Sequence, residues 1–314
     1  MRTLLQKDIL MKYKSVIGLI LFSAIVTIIN PSFLSMSNIL NVFRQTSINA
    51  IIAAGMTFII LTGGIDLSVG SILAVAGAIA ATMVTDGQNV VIVLLATLLI
   101  GAVIGALNGI IISKGKVQAF IATLAMMTLA RGYTLVFTDG KPIGVEASKS
   151  ADVFASIGSG YILGIPIPIY ITVLVFMISY YILKHTRFGR YIYAMGGNEE
   201  ATKLSGINVD LVKIYVYALS GALAALAGII VTARLSSAQP QAGAGYELDA
   251  IAAVVLGGTS LAGGNGNIFG TIVGALIIGI LNNSLNLMNV SSYYQLLAKG
   301  LVILIAVLLD RKNK

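Results

Sequence analysis

The chain has no cysteine and a single histidine, and only 10% of its 314 residues are charged. Without cysteine there is no disulfide framework, no thiolate nucleophile and no sulfur metal site, so redox chemistry is not expected. His185 stands alone between Lys184 and Thr186, at the predicted edge of an apolar run. A metal site needs several ligands, and a triad needs a nucleophile with a positioned base, so this histidine reads as an interfacial residue. The sequence also has no Gly-rich loop ending in Gly-Lys-Ser or Gly-Lys-Thr. The chain therefore carries no P-loop of its own, and no catalytic, cofactor or metal site is expected.

Apolar residues are what the sequence does hold. They make up 57% of it, with a mean hydropathy of +0.95. Soluble domains carry roughly 25% charge and roughly 45–50% apolar residues, so this composition is that of an all-α integral membrane protein. The net charge of +8 would suggest nucleic acid in a soluble protein. Here the basic residues flank apolar runs, and membrane orientation accounts for them.

A span needs about 20 apolar residues to cross a hydrocarbon core of about 30 Å. Apolar runs bounded by polar or turn-forming residues predict ten helices, near 15–30, 46–62, 67–84, 90–112, 119–137, 163–183, 212–233, 247–261, 267–287 and 293–309. The first follows Arg2, Lys7, Lys12 and Lys14 and superficially resembles a signal peptide, but no small-residue cleavage site precedes Asn30 and Pro31, so it reads as an uncleaved span. With both termini cytoplasmic, the inner side receives those four cations with Lys114, Lys116, Lys184, Arg187, Arg190, Lys203, Lys213, Arg311, Lys312 and Lys314. The outer side receives only Arg44, Lys141, Lys149 and Arg234. That asymmetry supports one transmembrane domain over residues 1–314, with an inner loop at 184–213 and an outer loop at 138–162.

The short predicted helices 46–62 and 247–261 each end in a Gly-Gly pair, giving GGIDLSVGSI from Gly63 and Gly64 and GGTSLAGGNGNI from Gly257 and Gly258. Gly-interrupted segments in two halves point to the binding or gating region of a transporter, although two ordinary tight turns would read the same way. Both phrases fall on one side of the membrane in this topology, so they do not by themselves show an inverted repeat. Glycines at every fourth position, Gly101, Gly105 and Gly109, then Gly270 and Gly274, predict faces where helices approach closely.

Charges inside spans are costly, about 2.5–3.5 kcal/mol each on insertion scales, and face protein or water. Arg131 is a candidate for the translocation path or for snorkelling to the outer surface. Lys299, nearer mid-span, requires a structural partner or a pore-lining role. Asp66, two residues before Ser68, reads either as the N-cap of the third helix or as a gate residue. Outer charges, Asp139, Lys141, Glu146, Lys149 and Asp152, with Arg234, Glu247 and Asp249, suit either a docking surface or a merely solvated loop.

The polar island from Lys184 to Lys213 stands out in so apolar a chain. After Gly196 and Gly197, Asn198 suits an N-cap, Glu199 and Glu200 suit the first turn, and Gly206 suits the stop, which leaves about two turns through Ala201, Lys203 and Leu204. A helix that short needs tertiary support, so the segment reads as an exposed piece built to enter a groove on another protein.

At this point the residues resemble a known family. The run NEEATKLSGI is similar to the coupling loop of bacterial ABC-importer permeases. The phrases LTGGIDLSVGS, KVQAFIATLAMMTLARG, HTRFGRYIYAMGGNEEATKLSGI, ARLSSAQPQAGAGYELDAIAAVVLGGTSLAGG and SSYYQLLAKGLVILIAVLLD resemble the permeases of binding-protein-dependent monosaccharide importers, those for ribose in particular. The likeness covers nearly the whole chain after the first 30 or so residues. It implies the ABC-importer permease fold, a homodimer forming one path, a cytoplasmic ABC ATPase engaging Asn198 to Gly206, and an extracytoplasmic sugar-binding protein on the outer loops. ATP and magnesium would be used by the ATPase, not by this chain. The competing expectation is a secondary transporter driven by an ion gradient, which needs intramembrane ion sites of which Asp66 is nearly the only carboxylate candidate.

Overall fold

A computed structural model describes residues 14–145 and 149–311. The charges at Arg2, Lys7, Lys12, Glu146, Lys312 and Lys314 lie outside the described residues. Helix α1 (Lys14–Ile29) leads through a 3-10 turn (Pro31–Leu34) into α2 (Met36–Leu61). Helices α3 (Val69–Thr85), α4 (Val90–Ser113) and α5 (Ala119–Phe137) follow. After strand β1 (Ile143–Gly144) come α6 (Lys149–Ser159) and the hairpin β2 (Tyr161–Ile162) and β3 (Ile165–Pro166). Then come α7 (Ile167–His185), α8 (Arg187–Gly197), α9 (Glu199–Leu204) and α10 (Val209–Leu235). Strand β4 (Ser237–Ala238), α11 (Tyr246–Leu256), α12 (Ile268–Leu287) and α13 (Ser292–Arg311) complete the described chain.

Each predicted apolar run contains a helix. Among the described residues six helices are long and apolar enough to cross a membrane, namely α2, α4, α5, α7, α10 and α12. The run 46–62 is not a short helix. Helix α2 starts ten residues earlier, where the Ser35 hydroxyl accepts from Asn38 N at 3.3 Å. Polar residues that look like a loop find partners within the fold: Asn38 and Asn283 of α12 exchange side-chain hydrogen bonds of 3.1 and 2.9 Å, and Asn41 accepts from Arg44 and Gln45. Arg44 is thus a helical residue rather than part of an outer loop.

Helix α10 is the hub, packed against α2, α3, α4 and α6. The glycine periodicity explains how closely. A Cβ on Gly101 or Gly105 of α4 would strike the backbone of α10 at Gly221 or Tyr217, and one on Gly109 would lie 2.6 Å from the Cα of Ile214. Likewise Gly270 and Gly274 of α12 meet the backbone of α11 at Gly257 and Ala253. Where lipid tails are as apolar as leucine, such backbone proximity supplies the dispersion contact that holds helices together. The hydroxyls of Thr57 and Thr271, 2.8 Å apart, add a buried hydrogen bond between α2 and α12.

Both predicted loops contain helices. Residues 138–162 hold α6, whose buried Phe154 packs toward α10, and β1, which pairs antiparallel with β4 through Ile143↔Ala238 and Gly144↔Ser237. Residues 184–213 hold α8 and α9. In α8 the buried residues Gly189, Ile192 and Met195 alternate with exposed Arg187, Arg190 and Ala194, an amphipathic spacing that local charge alone conceals.

Candidate functional site

Two chain breaks meet at one end of the bundle. The first, residues 62–68, separates α2 from α3; the second, residues 257–267, separates α11 from α12. Gly264 N donates to Leu61 O at 2.9 Å, so the two Gly-Gly phrases share one side of the molecule. Gly263, at φ +85°, is so close that a Cβ there would lie 2.8 Å from Gly63 N and 3.1 Å from the Cα of Gly196. The last turn of α8 enters the same contact: a Cβ on Gly196 would strike both Leu61 O and Gly264 N. Tyr193 of α8 donates to Gly266 O at 3.1 Å. Backbone from three segments therefore touches backbone with no side chain between.

One residue links this junction to α9. Asn198 Oδ1 accepts from Ala201 N at 2.9 Å, the expected N-cap, and the chain turns at Gly206 with φ +84°. Glu199, in the first turn, forms a 2.6 Å ion pair with Lys213 at the base of α10. Glu200, Ala201, Lys203, Leu204 and Gly206 are exposed, and Leu204 is 89% exposed. A leucine left so bare beside charged neighbours is an apolar knob without a pocket in this chain. Between α9 and the first break lies a cavity of about 310 Å³, lined by Gly63, Gly64, Lys116, Gln118, Glu199, Lys213 and Tyr217.

Asp66 and Ser68 lie behind that cavity, fully buried. Asp66 does not cap α3. Its Oδ1 accepts from Ser68 N at 2.8 Å and Ser68 Oγ at 2.6 Å, and Asn108 Nδ2 of α4 donates to Ser68 Oγ at 2.8 Å. The carboxylate stiffens the bend inside the break, where it holds the turn two residues ahead of its own position. Tyr217 Oη donates to Ile65 O at 3.3 Å, tying the same bend to α10.

Arg131 and Lys299 are not at the junction. Arg131 Nη1 donates to Pro240 O at 2.6 Å and Ala242 O at 2.9 Å, so it neither snorkels outward nor stands free. These carbonyls belong to a re-entrant segment. Gly228 and Thr232 of α10 pack on Leu73 and Gly77 of α3, which makes the two helices parallel and places Gly70 about level with residue 225. Gly243 contacts Gly70, so the chain leaving α10 at Leu235 returns by about ten residues of helix rise, about 15 Å, before α11 begins. Non-helical backbone at such depth needs partners from the protein, and Arg131 supplies them.

Lys299 Nζ pairs with Asp249 Oδ2 at 2.9 Å, and Asn49 donates to the same oxygen at 3.3 Å. Asp249 is 2% exposed, and Glu247 accepts from Gly245 N beside the backbone of Gly70. Neither acid is therefore part of an outer docking loop; both sit in the first turn of a short helix that starts inside the bundle. Gly257 and Gly258 hold the turn from α11 toward α12, with Gly258 at φ +90°. The structure thus gathers Gly63, Gly64 and Asn198 to Gly206 at one end and leaves Arg131 and Lys299 to brace the other broken helix. The wedge at Gly196 and Gly197 and the re-entrant segment were not foreseen; Gly-Gly at 196–197 and QPQAGAG at 239–245 were the available signals.

Comparison with known proteins adds the context. Residues 38–307 match the family model described as branched-chain amino acid transport system / permease component. The ribose import permease protein of Haemophilus influenzae is 64% identical over 301 residues, covering 96% of this chain and 93% of that protein. That of Bacillus subtilis is 57% identical over 306 residues, 97% of this chain and 94% of the other. The D-allose transport system permease protein of Escherichia coli is 39% identical over 302 residues, 96% and 91% of the two chains. No solved structure matches.

Proposed function

The chain belongs to the family of permease components of branched-chain amino acid transport systems, and on that premise we propose that it is the membrane-spanning subunit of an ATP-driven bacterial importer for ribose. The observation that carries the substrate is the identity of 57–64% to proteins named ribose import permease, over nearly the full length of both chains. The family description names amino acids, yet its members here are named for ribose and D-allose, and identity falls to 39% at the change of sugar. The protein is a multi-pass protein of the bacterial inner membrane.

In this reading a separate ABC ATPase, which uses the ATP and magnesium, receives α9 through Asn198, Glu199, Glu200, Ala201, Lys203, Leu204 and Gly206. A binding protein outside delivers the sugar, and a second copy of the chain completes the path. The single domain runs over residues 1–314, with 184–213 inside and 138–162 outside. Gly63, Gly64, Gly257 and Gly258 flank the breaks that move, Asp66 and Ser68 keep the first break bent, and Arg131 and Lys299 hold the re-entrant segment and α11 in place. Nucleotide can drive such a cycle only by binding one conformation better than the other. The backbone junction next to α9 supports this reading because it gives a displaced α9 two chain breaks to move.

The test is ribose uptake into proteoliposomes carrying this chain, its ATPase and its binding protein. Uptake is expected to need all three and ATP. Uptake that follows an ion gradient and ignores ATP would overturn the reading. Since the chain has no native cysteine, an L204C variant carries one thiol, and its crosslinking to the ATPase reports the contact directly.

A further inference from the structure

Helix α7 carries one unbroken exposed stripe. Tyr170, Val173, Leu174, Met177, Ile178 and Tyr181 recur at the helical spacing, each 38–62% exposed. From Tyr170 to Tyr181 the stripe runs about 16 Å, half of a hydrocarbon core of about 30 Å and hence the depth of one leaflet. It does not fade into a polar loop. It ends in Lys184 and His185, and the next turns add Arg187 and Arg190, all exposed.

The cationic end is built rather than merely charged. Lys184 Nζ donates to Tyr180 Oη at 2.6 Å and lies 5.1 Å from that ring, while His185 stacks on Tyr181 with centroids 5.5 Å apart. Arg187 and Arg190 stand three residues apart on the exposed face of α8, the face opposite buried Gly189, Ile192 and Met195. Among the described residues no carboxylate forms an ion pair with Lys184, Arg187 or Arg190. An acyl-length apolar stripe that leads to three cations without a carboxylate partner among the described residues, and to two aromatic rings, has the chemistry of a single phospholipid: tails along α7, an anionic headgroup at the turn into α8.

We propose that the α7–α8 corner binds an anionic phospholipid, and that this lipid holds α8 against the junction. The last turn of α8 carries Gly196, which touches Leu61 and Gly264, so a headgroup that immobilises Arg187 and Arg190 biases the position of the wedge and of α9 behind it. Binding does not depend on the transport reading, and its test is separable from it.

The purified chain is exchanged into mixed micelles with defined ratios of phosphatidylglycerol and phosphatidylcholine, and retained lipid is counted by native mass spectrometry. The expected result is preferential retention of one phosphatidylglycerol per chain. Each of R187Q and R190Q lowers that preference about fivefold, the factor given by about 1 kcal/mol per cation, whereas R187K/R190K keeps it. Equal retention of the two lipids, a preference unchanged in R187Q/R190Q, or a loss of both lipids alike would overturn the site. With the complete importer reconstituted, ATP hydrolysis in vesicles containing phosphatidylglycerol should exceed that in pure phosphatidylcholine, and R187Q/R190Q should remove the difference. A variant that lowers ATPase association equally in both vesicles would assign the cations to the ATPase instead.

Discussion

Adjacent glycines in α8 make opposite predictions. At Gly196 an added methyl would point into the hydrogen bond between Gly264 N and Leu61 O, and both obstacles are backbone, so no rotamer change relieves them. At Gly197 an added methyl meets nothing within 4 Å. Overpacking costs about 1–3 kcal/mol, and separating a buried amide from its carbonyl costs about 1–3 kcal/mol more. The better helix propensity of alanine returns at most about 1 kcal/mol. Gly196→Ala is therefore expected to lose about 1–5 kcal/mol in local stability of the junction, while Gly197→Ala is neutral or slightly stabilising. The assay compares both purified variants by thermal unfolding in detergent and by ribose uptake in proteoliposomes. Gly196→Ala should lose most uptake with a lowered Tm, and Gly197→Ala should match the parent in both. A Gly196→Ala protein that transports normally, or a Gly197→Ala protein equally damaged, would refute the backbone junction as the coupling element.

Other perturbations separate folding from function. Leu204→Asp should leave stability within about 0.5 kcal/mol, because the side chain touches solvent, yet abolish ATPase association measured by co-purification. Lys299→Met strands the buried Asp249 carboxylate and should cost about 3–5 kcal/mol, and K299M with D249N should recover most of it in thermal unfolding. Asn198→Ala removes one N-cap bond, for about 1 kcal/mol, and should weaken protease resistance around α9 before it affects the bundle. Arg131→Gln withdraws donors from the Pro240 and Ala242 carbonyls and should expose a cysteine placed at Ala238, buried two residues before Pro240, to maleimide labelling, with transport reduced.

What the sequence made legible is local. Helices came from apolar runs, close helix faces from glycines four apart, and the Asn198 cap from residue chemistry within one turn. What it hid is long-range. The start of α2 at Met36 depends on Asn38 meeting Asn283, 245 positions away, so a local reading sees only polar residues and calls them a loop. Asp249 looked like a surface acid because its partner, Lys299, lies 50 residues on. The re-entrant segment has the composition of an outer loop, and only its contact with Gly70 reveals its depth. At the junction, two Gly-Gly phrases are visible as breaks in the chain pattern, but that Gly196 of a third segment seats between them is a fact of packing, without a periodicity to announce it.

The size of α9 limits what it can do alone. Six residues do not hold a helix in water, and three anchors hold this one: the Asn198 cap, the Glu199–Lys213 pair and the Gly196 wedge. Moving a two-state equilibrium from 1:99 to 99:1 requires about 5.5 kcal/mol of differential binding. Burying Leu204 in a partner groove supplies about 1.5–3 kcal/mol, and even if all of it were conformation-dependent, one copy would fall short. Two copies engaging two ATPase grooves together supply about 3–6 kcal/mol, which reaches the requirement only near its upper end. If Leu204 supplied the whole difference, the proposed second copy would be what brings it to this scale. Leu204→Ala in one copy of a mixed dimer should then cut transport nearly as far as the change in both, whereas half-maximal transport from such a dimer would mean that each copy switches independently.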